Sequence, residues 1–294
     1  MKVLVTGQNS YAGTQFSKRI SDLNKRWEID FVSVRDNTWK HKDFSLYDAI
    51  YHVAGIVHKK ETAENKDIYY KVNRDLTYQL ALKAKKEGVK SFVFLSTMAV
   101  YGLIGKIGED TIISKETKPA PTSNYGKSKL EAEGLLEELQ SSNFNISILR
   151  IPMIYGPNCP GNYSSLSKLA RKIPVFPKID NKRSMIFVDH LSDIVIHIIE
   201  KKLLGVFLVK NPEDLNTLEI VSVIGEYHGK RIYKSSFLGF IFITFGNRVS
   251  TFRKMFGNMV FQETDCYISG FEFKKLSLEE SISLAEGKEL GGKY

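Results

Sequence analysis

Tyr125 and Lys129 stand four residues apart in the stretch Tyr125-Gly126-Lys127-Ser128-Lys129, near the start of an amphipathic pattern over 123–141. On a helix that spacing places both side chains on one face. A phenol with a pKa near 10 is a poor acid or base at neutral pH, unless a neighbouring positive charge stabilises its phenolate. Lys129 is placed to supply that charge. Ser96-Thr97 closes an apolar run at 91–95. The Thr97 hydroxyl therefore leaves the carboxyl end of a strand, where open α/β sheets hold their ligands, and can orient a reacting oxygen. These three side chains form an acid–base set: Tyr125 and Lys129 with Thr97.

A second group lies at the start of the chain. The β-rich run 2–5 leads into Thr6-Gly7-Gln8-Asn9-Ser10-Tyr11-Ala12-Gly13 and then into a helical pattern with Phe16 and Ile20 on one face. A glycine turn between strand and helix aims backbone N–H groups and a helix N-terminus at a pyrophosphate. Gly7 permits the turn, Gly13 permits close packing of helix on strand, and Ser10 stands where a third glycine would give the phosphate room. The predicted ligand is a dinucleotide. Val34-Arg35-Asp36 closes the second β-rich run. An acid at this place binds the ribose hydroxyls of NAD, whereas a guanidinium pairs with a 2′-phosphate. Arg35 comes first and favours NADP(H); Asp36, one residue on, keeps NAD(H) open.

These groups need a scaffold, and the chain reads as one. β-rich runs at 30–34, 49–53, 91–95 and 146–149 alternate with amphipathic patterns at 67–86 and 123–141. Such alternation predicts right-handed crossovers and a doubly wound, mostly parallel α/β sheet, the Rossmann class. From about Tyr155, Pro157, Pro160, Gly161, Pro174 and Pro177 interrupt the pattern. A strand at 185–188, a helix at 191–202 and a strand at 205–209 then return, and a last helix begins near Ser277. The expectation is a nucleotide domain at 1–155 with 184–210 returning to it, and a smaller substrate-binding domain from 156–183 and 211–294.

Composition narrows the classes. Of 294 residues 43% are hydrophobic and 26% charged, ordinary for a folded globular chain. Two cysteines, Cys159 and Cys266, argue against a disulfide scaffold or zinc cluster, and His52 and His58 lack a third ligand, so no metal is expected. The 42 Lys and Arg against 33 Asp and Glu are scattered in pairs, with no basic stripe interleaved with aromatics. That argues against nucleic acid and suits small polyanions such as nucleotide diphosphates. No basic-then-apolar leader opens the chain and no apolar stretch reaches the roughly 20 residues of a bilayer span. A cytoplasmic protein without stable membrane insertion is expected. The aromatic run 237–245 suits core or subunit packing, with an interfacial helix as the alternative.

VTGQNSYAG, YHVAGIVH set after a fourth strand, KVN with Asn73, FLSTMAVYG, YGKSK, LRIPMIYGP and FVDHLSDI together resemble the extended short-chain dehydrogenase/reductase family. These are the NAD(P)-dependent nucleotide-sugar epimerases, dehydratases and reductases. The resemblance covers nearly the whole chain. It implies Tyr125 as the acid–base tyrosine, Lys129 as its ribose-binding partner and Thr97 as the substrate-orienting hydroxyl. Tyr11 and Ala12 belong to the cofactor turn. Ala54 and Gly55 line the adenine and diphosphate side, Asn73 supports the strand ends, and Pro152 with Met153 lies near the nicotinamide. The counterpart of Met153 in sugar 4-epimerases is often asparagine, a departure from the galactose 4-epimerase pattern. Asp189 and Asp193 follow a structural pattern of the family.

GPNCPGNYSSL followed by IPVFPKIDNKRSMIFVD is similar to a narrower branch, the capsule and O-antigen enzymes acting on UDP-linked N-acetyl amino sugars. There Asn162 would cap a helix near the uridine diphosphate and Arg183 would clamp a phosphate oxygen. The activity this implies is reduction of the C4 carbonyl of a UDP-4-keto-6-deoxy-N-acetylhexosamine, giving UDP-N-acetylfucosamine or UDP-N-acetylquinovosamine for surface polysaccharide. The alternative is a UDP-hexose or UDP-N-acetylhexosamine 4-epimerase with bound NAD; a more distant one is a non-enzymatic dinucleotide sensor. The family also implies a homodimer.

Overall fold

The computed structural model describes residues 1–57, 61–62 and 65–287. The chain divides into two compact units, one of segments Met1–Gly102, Lys118–Ile151 and Leu191–Leu208, the other of Leu103–Thr117, Pro152–His190 and 209–287.

In the first unit six strands form one parallel sheet. In chain order they are Lys2–Thr6, Glu28–Val32, Ala49–His52, Ser91–Thr97, Asn145–Ile151 and Gly205–Leu208, and in space they run second, first, third, fourth, fifth, sixth. The order reverses between the first and third strands. In doubly wound sheets that is where ligands sit, beyond the carboxyl ends. YHVAGIVH therefore follows the third strand of this chain and not a fourth. Only residues 33–48 separate the second strand from the third, and they hold one short 3-10 turn, Thr38–His41. That is too little for another helix and strand.

The strands are apolar on both faces because helices cover both. Leu4, Ile50, Phe92, Phe94, Ile146 and Ile148 pack in one cluster with Leu80 and Ala84 of the Leu76–Lys86 helix and Ala132 and Leu136 of the Asn124–Glu137 helix. On the first helix, Tyr11–Asp22, Phe16 and Ile20 are buried, and the Phe16 ring meets Tyr51 edge-on at 5.1 Å. Arg19 of that helix forms a two-pronged pair with Asp193, both contacts 2.7 Å, so Asp193 takes the structural part expected of it.

The second unit is built from short pieces. Three two-stranded parallel ladders, Ile112–Ile113 with Val260–Phe261, Met153–Tyr155 with Met185–Phe187, and Val175–Pro177 with Tyr233–Ser235, are joined by five helices. Segments 103–117 and 184–190 thus fall here and not in the nucleotide-binding part. Pairing decides it: Ile112 is in register with Val260, Lys106 bridges to Asn258, and Met185 pairs with Met153. Glu286 gathers Tyr163, Ser167 and His228 at 2.8–2.9 Å, tying the last helix, Leu278–Ala285, to its neighbours. The aromatic run departs from the core expectation: on the Ser236–Phe245 helix only Gly239 is buried, while Phe237, Phe240, Ile243 and Phe245 are exposed.

Gly13 sets how closely the first helix lies on the sheet. A methyl group there would sit 2.7 Å from Val5 Cγ1 and 2.5 Å from Ser10 Oγ. Gly13→Ala is expected to destabilise the protein by about 1–3 kcal/mol, the range for overpacking; an unchanged urea midpoint would show that the helix can simply lift away.

Candidate functional site

The glycine turn forms as its residues require. Gly7 adopts φ +94°, its N–H donates to Val32 O at 2.9 Å, and Ser10 N–H closes the turn onto Gly7 O at 2.9 Å. A side chain at Gly7 would press on Ala54, so this turn and the loop after the third strand lie side by side at the sheet's reversal. Ser10 is the N-cap of the first helix, yet its hydroxyl makes no capping bond. Its Oγ is buried and has no hydrogen-bond partner among the described residues. A buried hydroxyl left open at a helix N-terminus, over a turn that only glycine adopts easily, fits a phosphate-bearing ligand. Ala12 is buried under the turn and Tyr11 half-buried beside it.

The second strand ends at Val32, two residues earlier than its apolar run predicts: its pairing with the first strand stops at Thr6, where the chain enters the glycine turn, and the Ser33 hydroxyl then accepts the Arg35 N–H. Arg35 and Asp36 consequently lie in the turn beyond the strand. The Asp36 carboxylate is occupied by the Thr38 N–H at 2.9 Å and the Thr38 hydroxyl, which hold its pKa below the usual carboxylate range. Arg35 is exposed.

Tyr125 and Lys129 sit on the Asn124–Glu137 helix. Ser123 caps it by accepting the Gly126 N–H at 3.0 Å, and the Glu61 carboxylate receives the N–H groups of Asn124 and Tyr125 at 2.9 and 3.0 Å. A carboxylate across a helix N-terminus satisfies two of its open donors and favours its dipole. Gly126 lets the helix press against the loop after the fourth strand: a methyl there would lie 2.6 Å from Ala99 O. That loop presents Thr97, whose hydroxyl accepts the Ala99 N–H at 3.1 Å and lies close enough to the Tyr125 phenol to favour its phenolate. The structure thus joins Thr97 to Tyr125.

The charge logic differs from the sequence expectation. Burial pushes the Tyr125 phenol up to about 12, and the Thr97 hydroxyl beside it opposes this only in part. Lys129 does not pull it down. Its side chain is 3% exposed, its Nζ lies 4.1 Å from the centre of the Phe94 ring, and burial lowers its own pKa to about 7 despite the attraction of Glu133. An ammonium already reluctant to hold its proton is a weak stabiliser of a phenolate. In the structure as it stands, Tyr125 is therefore a neutral phenol.

A buried lattice ties these elements together. His52 is fully buried, with Nδ1 2.6 Å from Thr6 Oγ1 and Nε2 2.8 Å from Thr77 Oγ1. Burial and the nearby Lys129 lower its pKa to about 3, so it is neutral, and both ring nitrogens are taken up by threonine hydroxyls. Thr77 donates to Asn73 O, which makes Nε2 the protonated nitrogen. The Asn73 amide clamps Ile56 through both its N–H and C=O and reaches Ser128 Oγ at 3.1 Å; Ser128 in turn donates to Tyr125 O at 2.9 Å. Asn73 lies in a π-helical stretch, Tyr70–Asp75, a local widening often found at functional positions. Gly55 lies exposed above it: a side chain there would meet Asn73 Oδ1 at 3.1 Å and come within 3.8 Å of Lys129 Nζ. His58 lies outside the described residues.

Several contributors escape sequence reasoning. Glu133, one turn beyond Lys129 and 1% exposed, binds Arg150 at 2.6 Å and accepts the Ser96 hydroxyl; Arg150 also reaches Tyr101 at 2.9 Å. Only the spacing of Glu133 four residues from Lys129 hinted at it. Glu61 gave no signal, since its partners are sixty residues away.

In the second unit, Asn162 is exposed and is the first residue of the Asn162–Ala170 helix. It is not the cap, as expected; Gly161 at φ +84° is, because the chain turns there through a conformation suited to glycine. Arg183 Nη1 donates to Gly257 O at 2.9 Å, and burial lowers the guanidinium to about 10. Among the described residues no carboxylate pairs with it. Pro152 is buried directly after the fifth strand of the sheet.

The depressed Lys129 has a measurable consequence. Between pH 7 and 10.5 the unfolded chain binds the proton that the folded chain has released, so this residue makes stability rise with pH over that window, and its penalty is complete below pH 7. Lys129→Met should flatten that rise and be more stable than wild type at pH 6 by at least about 1 kcal/mol. Parallel urea titrations at pH 6 and 9 with equal slopes for the two proteins would refute the buried-cation account.

Comparison with known proteins agrees with this architecture. Residues 3–208 match the NAD dependent epimerase/dehydratase family. The UDP-glucose 4-epimerase of Vibrio cholerae is 30% identical over 246 residues, 74% of this chain and 73% of that protein. The N-acetyl-alpha-D-glucosaminyl-diphospho-ditrans,octacis-undecaprenol 4-epimerase of Escherichia coli O157:H7 is 27% identical over 78% of this chain and 73% of its own. Among solved structures, the UDP-glucuronic acid 4-epimerase from Bacillus cereus in complex with NAD superposes with TM-score 0.73 at 20% identity, covering 97% of this chain and 95% of its own. The dTDP-4-dehydrorhamnose reductase from Bacillus anthracis in complex with NADP gives 0.71 at 21% identity, covering 97% and 98%. The glycine turn at the sheet's reversal, Tyr125 and Thr97 side by side in the same unit and the match over two thirds of its length place this chain in the NAD dependent epimerase/dehydratase family, among the nucleotide-sugar enzymes.

Proposed function

We propose that the chain is an NADP(H)-linked reductase of the C4 carbonyl in a UDP-4-keto-6-deoxy-N-acetylhexosamine. The product would be UDP-N-acetylfucosamine or UDP-N-acetylquinovosamine for a capsule or O-antigen polysaccharide. What supports this reading is the position of Tyr125 beside Thr97 at the end of the fourth strand, where burial favours the neutral phenol. Reduction of a ketone needs a proton donor at its oxygen, and Tyr125 is held in the donor form.

Bound NADPH supplies the hydride. The chain's residues then position and protonate. The Thr97 hydroxyl and Tyr125 Oη hold the carbonyl oxygen, and the phenolic proton passes to it as charge develops there. Lys129, too weak a cation to create a phenolate beforehand, would gain its proton as negative charge appears on Tyr125 and so support the phenolate that remains. Gly7, Ser10, Tyr11, Ala12 and Gly13 would take the pyrophosphate, Ala54 and Gly55 the adenine and diphosphate side, Asn73 and Lys129 the wall below them, and Pro152 the nicotinamide end. Arg35 would receive a 2′-phosphate, since Asp36 is already engaged by Thr38. In the second unit we assign Arg183 to a phosphate oxygen of the nucleotide, because a half-buried guanidinium bonded to a single carbonyl keeps donors for it. Asn162 would assist from its helix's first turn.

A 4-epimerase is the second reading, favoured by the 30% identity with the Vibrio cholerae enzyme. It would begin by removing a proton from a sugar hydroxyl, which demands a phenolate, and a bound cofactor would have to lower Tyr125 first.

One experiment separates the two. UDP-4-keto-6-deoxy-N-acetylglucosamine should consume NADPH in step with ketone, while UDP-N-acetylglucosamine with NAD should give no epimer; the reverse pattern would establish the epimerase. Tyr125→Phe should cut the rate at least about 100-fold and leave dinucleotide affinity intact. Arg35→Ala should raise the KM for NADPH about tenfold without changing that for NADH, and an equal effect on both would remove Arg35 from cofactor choice.

A further inference from the structure

The Ser236–Phe245 helix is held firmly and yet turns its apolar side outward. Gly239 packs so closely on the neighbouring strand's end that a methyl group would lie 2.2 Å from Lys178 O, and the Phe242 ring meets Phe252 and Phe256 at 4.7 and 5.2 Å. The opposite side carries Phe237 at 72% exposure, Phe240 at 66% and Ile243 at 49%. Thr244 lies on that side too, but its hydroxyl is spent on Phe240 O. From residue 235 to 247 there is no charged side chain.

Charge surrounds this face on one side of the ledger only. Residues 227–262 contain six Lys and Arg and no Asp or Glu. Lys234 precedes the helix and Arg248 follows it, both exposed; Arg248 stands over the Phe245 ring at 5.7 Å and Arg231 over the Tyr233 ring at 5.7 Å. A second copy of the chain is a poorer occupant, since a twofold contact would set the cations of residues 227–262 against each other and that segment brings no acid to pair them. An exposed apolar face whose polar groups are the small hydroxyls of Ser236 and Thr244, flanked along the chain by cations and aromatics, matches the boundary of an anionic bilayer.

We propose that this helix docks the protein on a membrane surface rich in anionic phospholipid, with Phe237, Phe240 and Ile243 entering the headgroup–acyl boundary and Lys234, Arg231 and Arg248 meeting phosphates. The contact is peripheral; among the described residues no helix is long and apolar enough to cross a membrane. It stands apart from the reaction assigned above, and its readout is vesicle partition and not turnover.

The test is flotation of the full chain with vesicles of phosphatidylcholine alone or mixed with phosphatidylglycerol. Wild type should float only with the mixed vesicles. Phe237→Ser with Phe240→Ser should weaken partition at least about tenfold with the thermal midpoint unchanged, and Lys234→Gln with Arg248→Gln should do the same through charge. No flotation with mixed vesicles, or flotation that both double variants retain, overturns the proposal. So does a dimer in sedimentation that the phenylalanine variant dissociates while vesicles fail to bind, for then a second copy covers the face.

Discussion

A lysine buried in an apolar wall is the constraint around which the candidate site is arranged. Lys129 lies over Phe94, and among the described residues it forms no ion pair. Taking an ammonium out of water is costly, and the fold meets that cost by letting its pKa fall and by setting a carboxylate one turn away. Glu133 is not free to pair with it, being held by Arg150 and Ser96. The surroundings follow from this. His52, stacked beside the same Phe94 ring, must stay neutral, and it does so between two threonine hydroxyls. Gly55 is bare of a side chain where Lys129 Nζ approaches, which leaves room for a ligand's hydroxyls to replace lost water.

What could be read from the chain was what local pattern encodes. Gly7 and Gly13 announce a turn that needs a positive φ and a close approach, and both requirements appear in the structure. Tyr125 and Lys129 are related by helical spacing alone, and Thr97 by its place at a strand's end, so each was visible without tertiary information. Strand boundaries were less so. The second strand stops at Val32 because its partner, the first strand, turns away after Thr6 into the glycine loop, and no residue near Val34 signals it. Glu61, Arg150 and the His52 lattice belong to the same class: their roles arise from partners far along the chain, and none carries a local periodicity.

The second unit shows where hydropathy misleads. An aromatic run of this density reads as core, since buried helices are apolar all round. Here one narrow side of the Ser236–Phe245 helix suffices for packing, because Gly239 brings it close and Phe242 fills the gap. Composition reports how apolar a helix is and not how many neighbours it has. The segments 103–117 and 184–190 teach the same point for topology: their ladder partners, Val260 and Met153, assign them to this unit, whereas their order along the chain suggested the other.

The protonation state of Tyr125 bears on the direction of chemistry. Burial stabilises the phenol, and among the described residues Thr97 is the neighbour that favours the phenolate. A site so poised gives up a proton readily only when a better acceptor is placed against it, and an oxygen gaining hydride at its carbon becomes such an acceptor. Withdrawing a proton from a sugar alcohol asks the opposite, a phenolate already present before the substrate reacts. Positive charge from a bound oxidised dinucleotide would help to create that phenolate, whereas the reduced form brings none to the ring. The same residues thus serve either direction, and the charge that a bound dinucleotide brings to the phenol selects between them.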